Sequence, residues 1–169
     1  MTLRPPEPID SSHDLAEFDS GVSALDDWLK RRSLANQVSG ATRTFVLCDD
    51  DRVVGYYALA SGAVRADHAP GRFRRNMPDP VPVVILARLA IDRSCQGKGL
   101  GRALVQDAAS RVLTAADAIG IRGILVHAIS PEAEAFYRSL GFASSPLDPR
   151  TLVITLADLR QVIATGKAT

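Results

Sequence analysis

With 169 residues, 46% hydrophobic and 23% charged, the chain has apolar material for one substantial core but too little length for two, so a single domain over residues 1–169 is expected. No apolar run nears the roughly 20 residues that cross a bilayer, the opening MTLRPPEPID has no signal-like stretch, and Cys48 and Cys95 lack CxxC spacing or clustered histidines; a cytoplasmic protein is expected, with no membrane contact, disulfide framework or metal. The net charge of +1 hides a segregation, because Met1–Leu29 holds one base against seven acids whereas Lys30–Arg111 holds fourteen bases against seven, and such a basic middle suits a polyanion: a nucleotide, a phosphorylated cofactor or an RNA backbone.

Val22, Leu25, Trp28, Leu29 and Leu34 recur at helical spacing over Val22–Gln37, with Ser20 or Gly21 near the start and Gly40 beyond the end, so one amphipathic helix is expected. Thr42–Cys48 and Val53–Ala60 are rich in aromatic and β-branched residues and flank Asp49-Asp50-Asp51, the pattern of an antiparallel hairpin. Arg65–Pro82, with four prolines and arginines at 72, 74 and 75, reads as a mobile basic loop. Val83–Ile91 is nearly continuous apolar sequence, interrupted only by Arg88, which is the mark of a central strand covered on both faces. Leu104, Ala108, Val112 and Ala115 then define a helix over Leu100–Ala118, and Ile124–Ile129 a second buried strand. Pro131–Leu140 is a short helix with Ser130 as N-cap and Gly141 as terminator. Thr151–Leu156 forms a last strand and Ala157–Ala164 a terminal helix. The order gives an α/β fold with a mixed sheet flanked by helices.

The chemistry concentrates between the central strand and its helix, in Gln96-Gly97-Lys98-Gly99-Leu100-Gly101-Arg102. Glycines there let successive backbone N–H groups turn toward one point at a helix start, where the helix dipole favours an anion, and Lys98 and Arg102 add charge beside it. Lys98 is followed by Gly99 rather than the Ser or Thr of a Walker A loop. No third glycine completes GxGxxG, and no acid stands about twenty residues on to hold a ribose. Nucleotide hydrolysis and hydride transfer are thus excluded, while a diphosphate cradle stands.

The run Arg88-Leu89-Ala90-Ile91-Asp92 followed by Gln96-x-x-Gly99-x-Gly101 resembles the coenzyme A signature (Q/R-x-x-G-x-G/A) of the GNAT acetyltransferases. Ala133-x-x-Phe136-Tyr137-x-x-x-Gly141-Phe142 resembles their second motif, at the expected distance. Phe18-Asp19-Ser20-Gly21, Leu25-Asp26-x-Trp28-Leu29 and Gly55-Tyr56-Tyr57 extend the likeness, over almost the whole chain, to the GNAT toxins of toxin–antitoxin modules.

The resemblance implies the α+β GNAT fold, a mostly antiparallel mixed sheet with a splayed pair of parallel strands, and acetyl-coenzyme A as acetyl donor. Backbone groups of Leu89, Ala90 and Ile91 would meet the acetyl and pantetheine parts, Gln96, Gly97, Lys98, Gly99, Leu100, Gly101 and Arg102 the pyrophosphate, with Ser130 and Phe136 lining the cofactor. Ser130 stands where the family often has Asn, so the cap role competes there with a cofactor contact. Tyr137 would be the general acid, and helical spacing sets Ala133, Phe136 and Leu140 on the packed side, so that Tyr137 need not be buried; a phenol with pKa of about 10 stays protonated at neutral pH yet can donate. No acid in Val83–Ala90 offers a base, which suits an α-amine of pKa about 8 better than a lysine at about 10.4. The toxin resemblance names aminoacyl-tRNA as substrate, translation as the process blocked, a ribbon-helix-helix antitoxin as partner and a homodimer as assembly. Arg31, Arg32, Arg43, Arg72, Arg74 and Arg75 are the candidate tRNA phosphate contacts. A small amine, a protein N-terminus, or non-catalytic sensing of acyl-coenzyme A are the alternatives. His127 is expected as a core residue, Cys95 as a passive small side chain and Trp28 as core.

Overall fold

Strand-forming runs with little polar alternation hold the middle of the sheet, but the run Val83–Ile91, expected to be covered on both faces, leaves Val84, Ile85, Ala87, Arg88 and Leu89 only half-buried. The computed structural model describes residues 1–167, with side chains through residue 164. Seven strands, β1 (Glu7–Pro8), β2 (Arg43–Asp49), β3 (Arg52–Val64), β4 (Val81–Ile91), β5 (Gly123–His127), β6 (Ala143–Ser144) and β7 (Thr151–Thr155), form one sheet in the order β1-β2-β3-β4-β5-β7-β6. The pairs β1–β2, β2–β3, β5–β7 and β6–β7 are antiparallel. β4 and β5 run parallel, with Val84, Ile85 and Leu86 opposite Ile124, Leu125 and Val126. This is the expected mixed, mostly antiparallel sheet with one parallel pair. The helices are α1 (Ser23–Arg31), α2 (Ser33–Ser39), α3 (Gly71–Arg74), α4 (Leu100–Ala115), α5 (Pro131–Ser139) and α6 (Leu156–Lys167). Among the described residues no helix is long and apolar enough to cross a membrane.

The chain divides into two compact units. One comprises Met1–Ala60 and Ala87–Asp107, the other Ser61–Leu86 and the residues from Ala108 onward. The elements β3, β4 and α4 each begin in one unit and end in the other. In the first unit, Leu29, Val46, Val53 and Tyr56 are fully buried beside Phe18 and Cys48, and each large apolar side chain so covered contributes about 1.5–3 kcal/mol. In the second, Phe73 is buried with Val81, Val83, Leu125 and Val153.

The expected helix over Val22–Gln37 is two helices, broken at Arg32, whose φ of −121° and ψ of −29° leave the helical well. The Ser33 hydroxyl donates to the Leu29 carbonyl at 2.5 Å, a back-bond of the kind that bends helices. Ser20 does not cap α1 from the N-cap position, which Val22 occupies. Instead the Asp26 carboxylate reaches back to accept from the Ser20 N–H at 3.1 Å and from its hydroxyl at 2.6 Å. The hairpin forms as expected, with Asp50 at φ 53° in its turn. The basic loop is more ordered than its prolines suggest. It carries a 3-10 turn over Ala66–His68 and the helix α3, and Phe73 anchors it in the core. The short edge strands β1 and β6 give no periodic signal, because two residues are too few to show one.

Gly123 opens β5 against β7, where a Cβ would stand 1.8 Å from the Ile154 carbonyl oxygen. Only glycine admits that approach.

Candidate functional site

The glycine loop lies in the first unit. β4 ends at Ile91, and Asp92 caps the 3-10 turn Arg93–Cys95 by accepting from the Ser94 N–H at 3.0 Å and its hydroxyl at 2.7 Å. Asp92 also accepts from the Asp19 N–H at 3.0 Å. Burial pushes its carboxyl up, but these hydrogen bonds outweigh burial and hold it below the ordinary range. The Gln96 side-chain amide donates to the Ser20 and Ile91 carbonyls, both at 2.9 Å. Gln96 therefore fixes the loop with its side chain, while its backbone N–H closes the turn onto the Arg93 carbonyl at 3.5 Å. Gly97 and Gly99 both adopt φ of +78°, and no atom lies within 4 Å of the place where a Cβ would stand on either. Side chains there would incur left-handed strain and fill open space above the backbone. α4 begins at Leu100, so the N–H groups of its first turn lack intrahelical acceptors. Lys98 and Arg102 are exposed beside it. Turned glycine backbone, free helical N–H groups and two cations fit a pyrophosphate. Behind the loop, Gly55 leaves room for Ile91, whose Cδ1 would lie 2.9 Å from a Cβ at that position, and the Tyr57 hydroxyl donates to Asp107 of α4 at 2.5 Å.

Tyr137 belongs to the second unit. Pro131 opens α5, Ser130 accepts from the Ala133 N–H at 3.1 Å as its cap, and Gly141 at φ 104° follows its end. The cap role of Ser130 is thus filled. Tyr137 is 5% exposed, and its ring meets Phe136 and Phe142 edge to face at 5.1 and 5.4 Å. Helical spacing sets Phe136 on the packed side and does not require Tyr137 there, and the structure reverses the two. Tyr137 and Leu140 share the buried stripe of α5, and Phe136, one position earlier and so about 100° around the helix, is only half-buried. Burial pushes the Tyr137 phenol above its ordinary value, so the proton is held firmly at neutral pH.

His127 is also unlike its expectation. It is exposed at the end of β5, and its Nδ1 pairs with the Thr151 hydroxyl at 3.0 Å. Cys95 is buried beside Ser94 and the Met1 sulfur. Of the candidate phosphate contacts, Arg31, Arg32 and Arg43 in the first unit and Arg72, Arg74 and Arg75 in the second are all exposed. Two of them are already engaged: Arg43 donates to the Gln37 carbonyl at 2.7 Å, and Arg72 forms a two-pronged pair with Asp158 at 2.9 and 3.0 Å.

Sequence spacing gave no metal ligands, yet folding gathers Glu7, His13 and Cys48 within 4.8 Å of one another. These groups satisfy each other. His13 Nδ1 accepts from the Asp10 N–H at 3.0 Å, so Nε2 carries the proton donated to Glu7 at 2.9 Å, and Arg4 donates to Glu7 at 2.8 Å. Burial pushes the Cys48 thiol up, away from thiolate.

Residues 40–144 match the acetyltransferase (GNAT) domain family. The chain is 54% identical to a tRNA-acetylating toxin of Mycobacterium tuberculosis, over 94% of this chain and 95% of that protein. Among solved structures, AtaT complexed with acetyl-methionyl-tRNAfMet is 31% identical with a TM-score of 0.87, over 95% of this chain and 99% of that one. A mutant AtaT toxin bound to acetyl-CoA and to the C-terminus of the antitoxin AtaR is 30% identical with a TM-score of 0.82, over 97% and 99%. A glycine cradle at the start of a helix that follows an inner strand, within a mixed sheet of this order, defines an acyl-coenzyme A-dependent transferase. The chain belongs to the GNAT acetyltransferase family and is an acetyltransferase using acetyl-CoA.

Proposed function

We propose that this protein is a toxin that acetylates the α-amino group of aminoacyl-tRNA and so blocks translation. The observation that carries the reading is the 54% identity, along nearly the full length of both chains, to a toxin that acetylates tRNA. The bound acetyl-methionyl-tRNAfMet of the similar AtaT structure supports the same substrate class. The segregation of fourteen bases into Lys30–Arg111 suits an RNA partner. The protein acts in the cytoplasm as one GNAT domain, as a homodimer, restrained by a ribbon-helix-helix antitoxin.

In this reading the backbone of Leu89, Ala90 and Ile91 aligns the acyl donor, and residues Gln96 to Arg102 hold its pyrophosphate. Phe136 and Ser130 border it. Acetyl-CoA supplies the acetyl group as a thioester, activated for attack by an amine. Tyr137 Oη donates the proton that the departing thiol requires, and its high affinity for that proton keeps it ready at neutral pH. No strong base is required, since the α-amine of an aminoacyl ester is partly neutral at pH 7.

Mass spectrometry of charged tRNA incubated with the protein and acetyl-CoA tests the reading. The expected product is heavier by one acetyl group on the aminoacyl moiety. Acetylation confined to lysine peptides or small amines would overturn it.

A further inference from the structure

Arg88 is the one charged residue of β4, whose sequence is VPVVILARLAI. Its guanidinium carbon lies 4.9 Å from the centre of the Trp28 ring, and Trp28 stacks on Tyr56 at 6.0 Å and 9°. Of the five N–H donors on a guanidinium, one is spent, from Nη1 to the Ala87 carbonyl at 3.1 Å. Nε is shielded from solvent and has no partner. Among the described residues no carboxylate stands within salt-bridge distance of Arg88. No neighbour among the described residues sets a paired carboxylate against the guanidinium. Burial pushes the Tyr56 phenol far up, so it stays neutral, and it donates to the Leu25 carbonyl at 2.7 Å. Asp26 is committed to Ser20.

A half-buried cation with unspent donors and no counter-ion is costly to keep in a folded chain, and a ligand anion is what removes the cost. A guanidinium laid against an indole is also a platform for the end of a single-stranded RNA, where phosphates pair with the cation and bases or sugars lie on flat groups. The pyrophosphate of the acyl donor has its own turned amides with Lys98 and Arg102. Arg88 immediately precedes Leu89, where the proposed acyl contacts begin. We propose that Arg88, held against Trp28, is a phosphate-binding subsite for the 3′ end of the acceptor RNA. This rests on the aminoacyl-tRNA reading above and names one of its substrate-binding residues.

The test is steady-state kinetics of Arg88→Gln and Arg88→Lys against wild type, with charged tRNA and acetyl-CoA varied separately. The expected result for Arg88→Gln is a KM for charged tRNA raised about tenfold or more, the scale of a lost charged hydrogen bond, with the KM for acetyl-CoA unchanged. Arg88→Lys recovers part of the loss, because it keeps the charge but not the planar fork. The salt dependence of tRNA binding becomes shallower by somewhat under one unit of slope, as for one phosphate contact removed. A rise in the KM for acetyl-CoA instead assigns the anion to the coenzyme and overturns the proposal. So does a variant that merely melts earlier with both KM values and the salt slope unchanged. Wild-type protein that leaves charged tRNA unmodified overturns the proposed function and this inference together, whereas failure of the Arg88 arms alone leaves the function standing.

Discussion

Tyr137 carries the sharpest expectations for a single side chain. Tyr137→Phe removes a proton donor and keeps the ring between Phe136 and Phe142, so kcat falls about 100-fold or more while calorimetry finds acetyl-CoA still bound. Because the folded pKa of Tyr137 lies above its unfolded value of about 10, its contribution to stability is complete below pH of about 10 and is lost as pH rises through the folded value. The Tm of wild type therefore declines at alkaline pH, and that of Tyr137→Phe declines less. Gln96 offers a second test. Its amide nitrogen faces two carbonyl oxygens, so the near-isosteric Gln96→Glu sets a carboxylate against both and weakens acetyl-CoA binding about tenfold, whereas Gln96→Arg, which still donates, keeps most of it. This explains a motif that allows Gln or Arg at its first position. Tyr137 was identifiable from its motif, but its burial was not, because a helix of nine residues with apolar groups at both 136 and 137 leaves its buried stripe ambiguous by one position. The isolation of Arg88 was visible as a lone charge in an apolar run. Its want of a counter-ion depends on residues distant in sequence, and no spacing reveals that.

Long elements with strong patterns were legible, and short or locally bonded ones were not. β4 and α4 carry a run or stripe long enough to fix their type and approximate ends, β5 holds an unbroken apolar run, and α5 is marked at its ends by Ser130, Pro131 and Gly141. The break between α1 and α2 depends on one hydroxyl, that of Ser33, choosing a carbonyl four residues back, and apolar periodicity does not register such a choice. The ordering of residues 65–82 follows from Phe73, a single apolar residue among prolines and arginines, and from Arg122 of the same unit, which donates to the Phe73 and Arg72 carbonyls at 2.7 Å each. At the β5–β7 seam, Gly123→Ala forces the two backbones apart and is expected to destabilise the protein by roughly 3 kcal/mol. Chemical denaturation reads that loss directly, and a variant as stable as wild type would mean that the seam can open at no cost.

For the molecule as a whole, the uneven charge of the sequence is its most general property. If exposed arginines such as Arg31, Arg74 and Arg75 meet RNA phosphates, the kcat/KM for charged tRNA drops at least tenfold between low and moderate salt, while the KM for acetyl-CoA changes little. A flat salt response would reassign those arginines to solubility. The path of the chain has a further consequence. Each compact unit is assembled from two stretches separated in sequence, so trimming from either terminus never yields one unit free of a piece of the other. Truncated chains ending at Ala60 or Asp107 sever β3 or α4 and show the collapsed amide dispersion of unfolded polypeptide in NMR spectra. Splitting this enzyme into separately expressed halves, as for a two-fragment reporter, would require cutting and rejoining the chain in a new order.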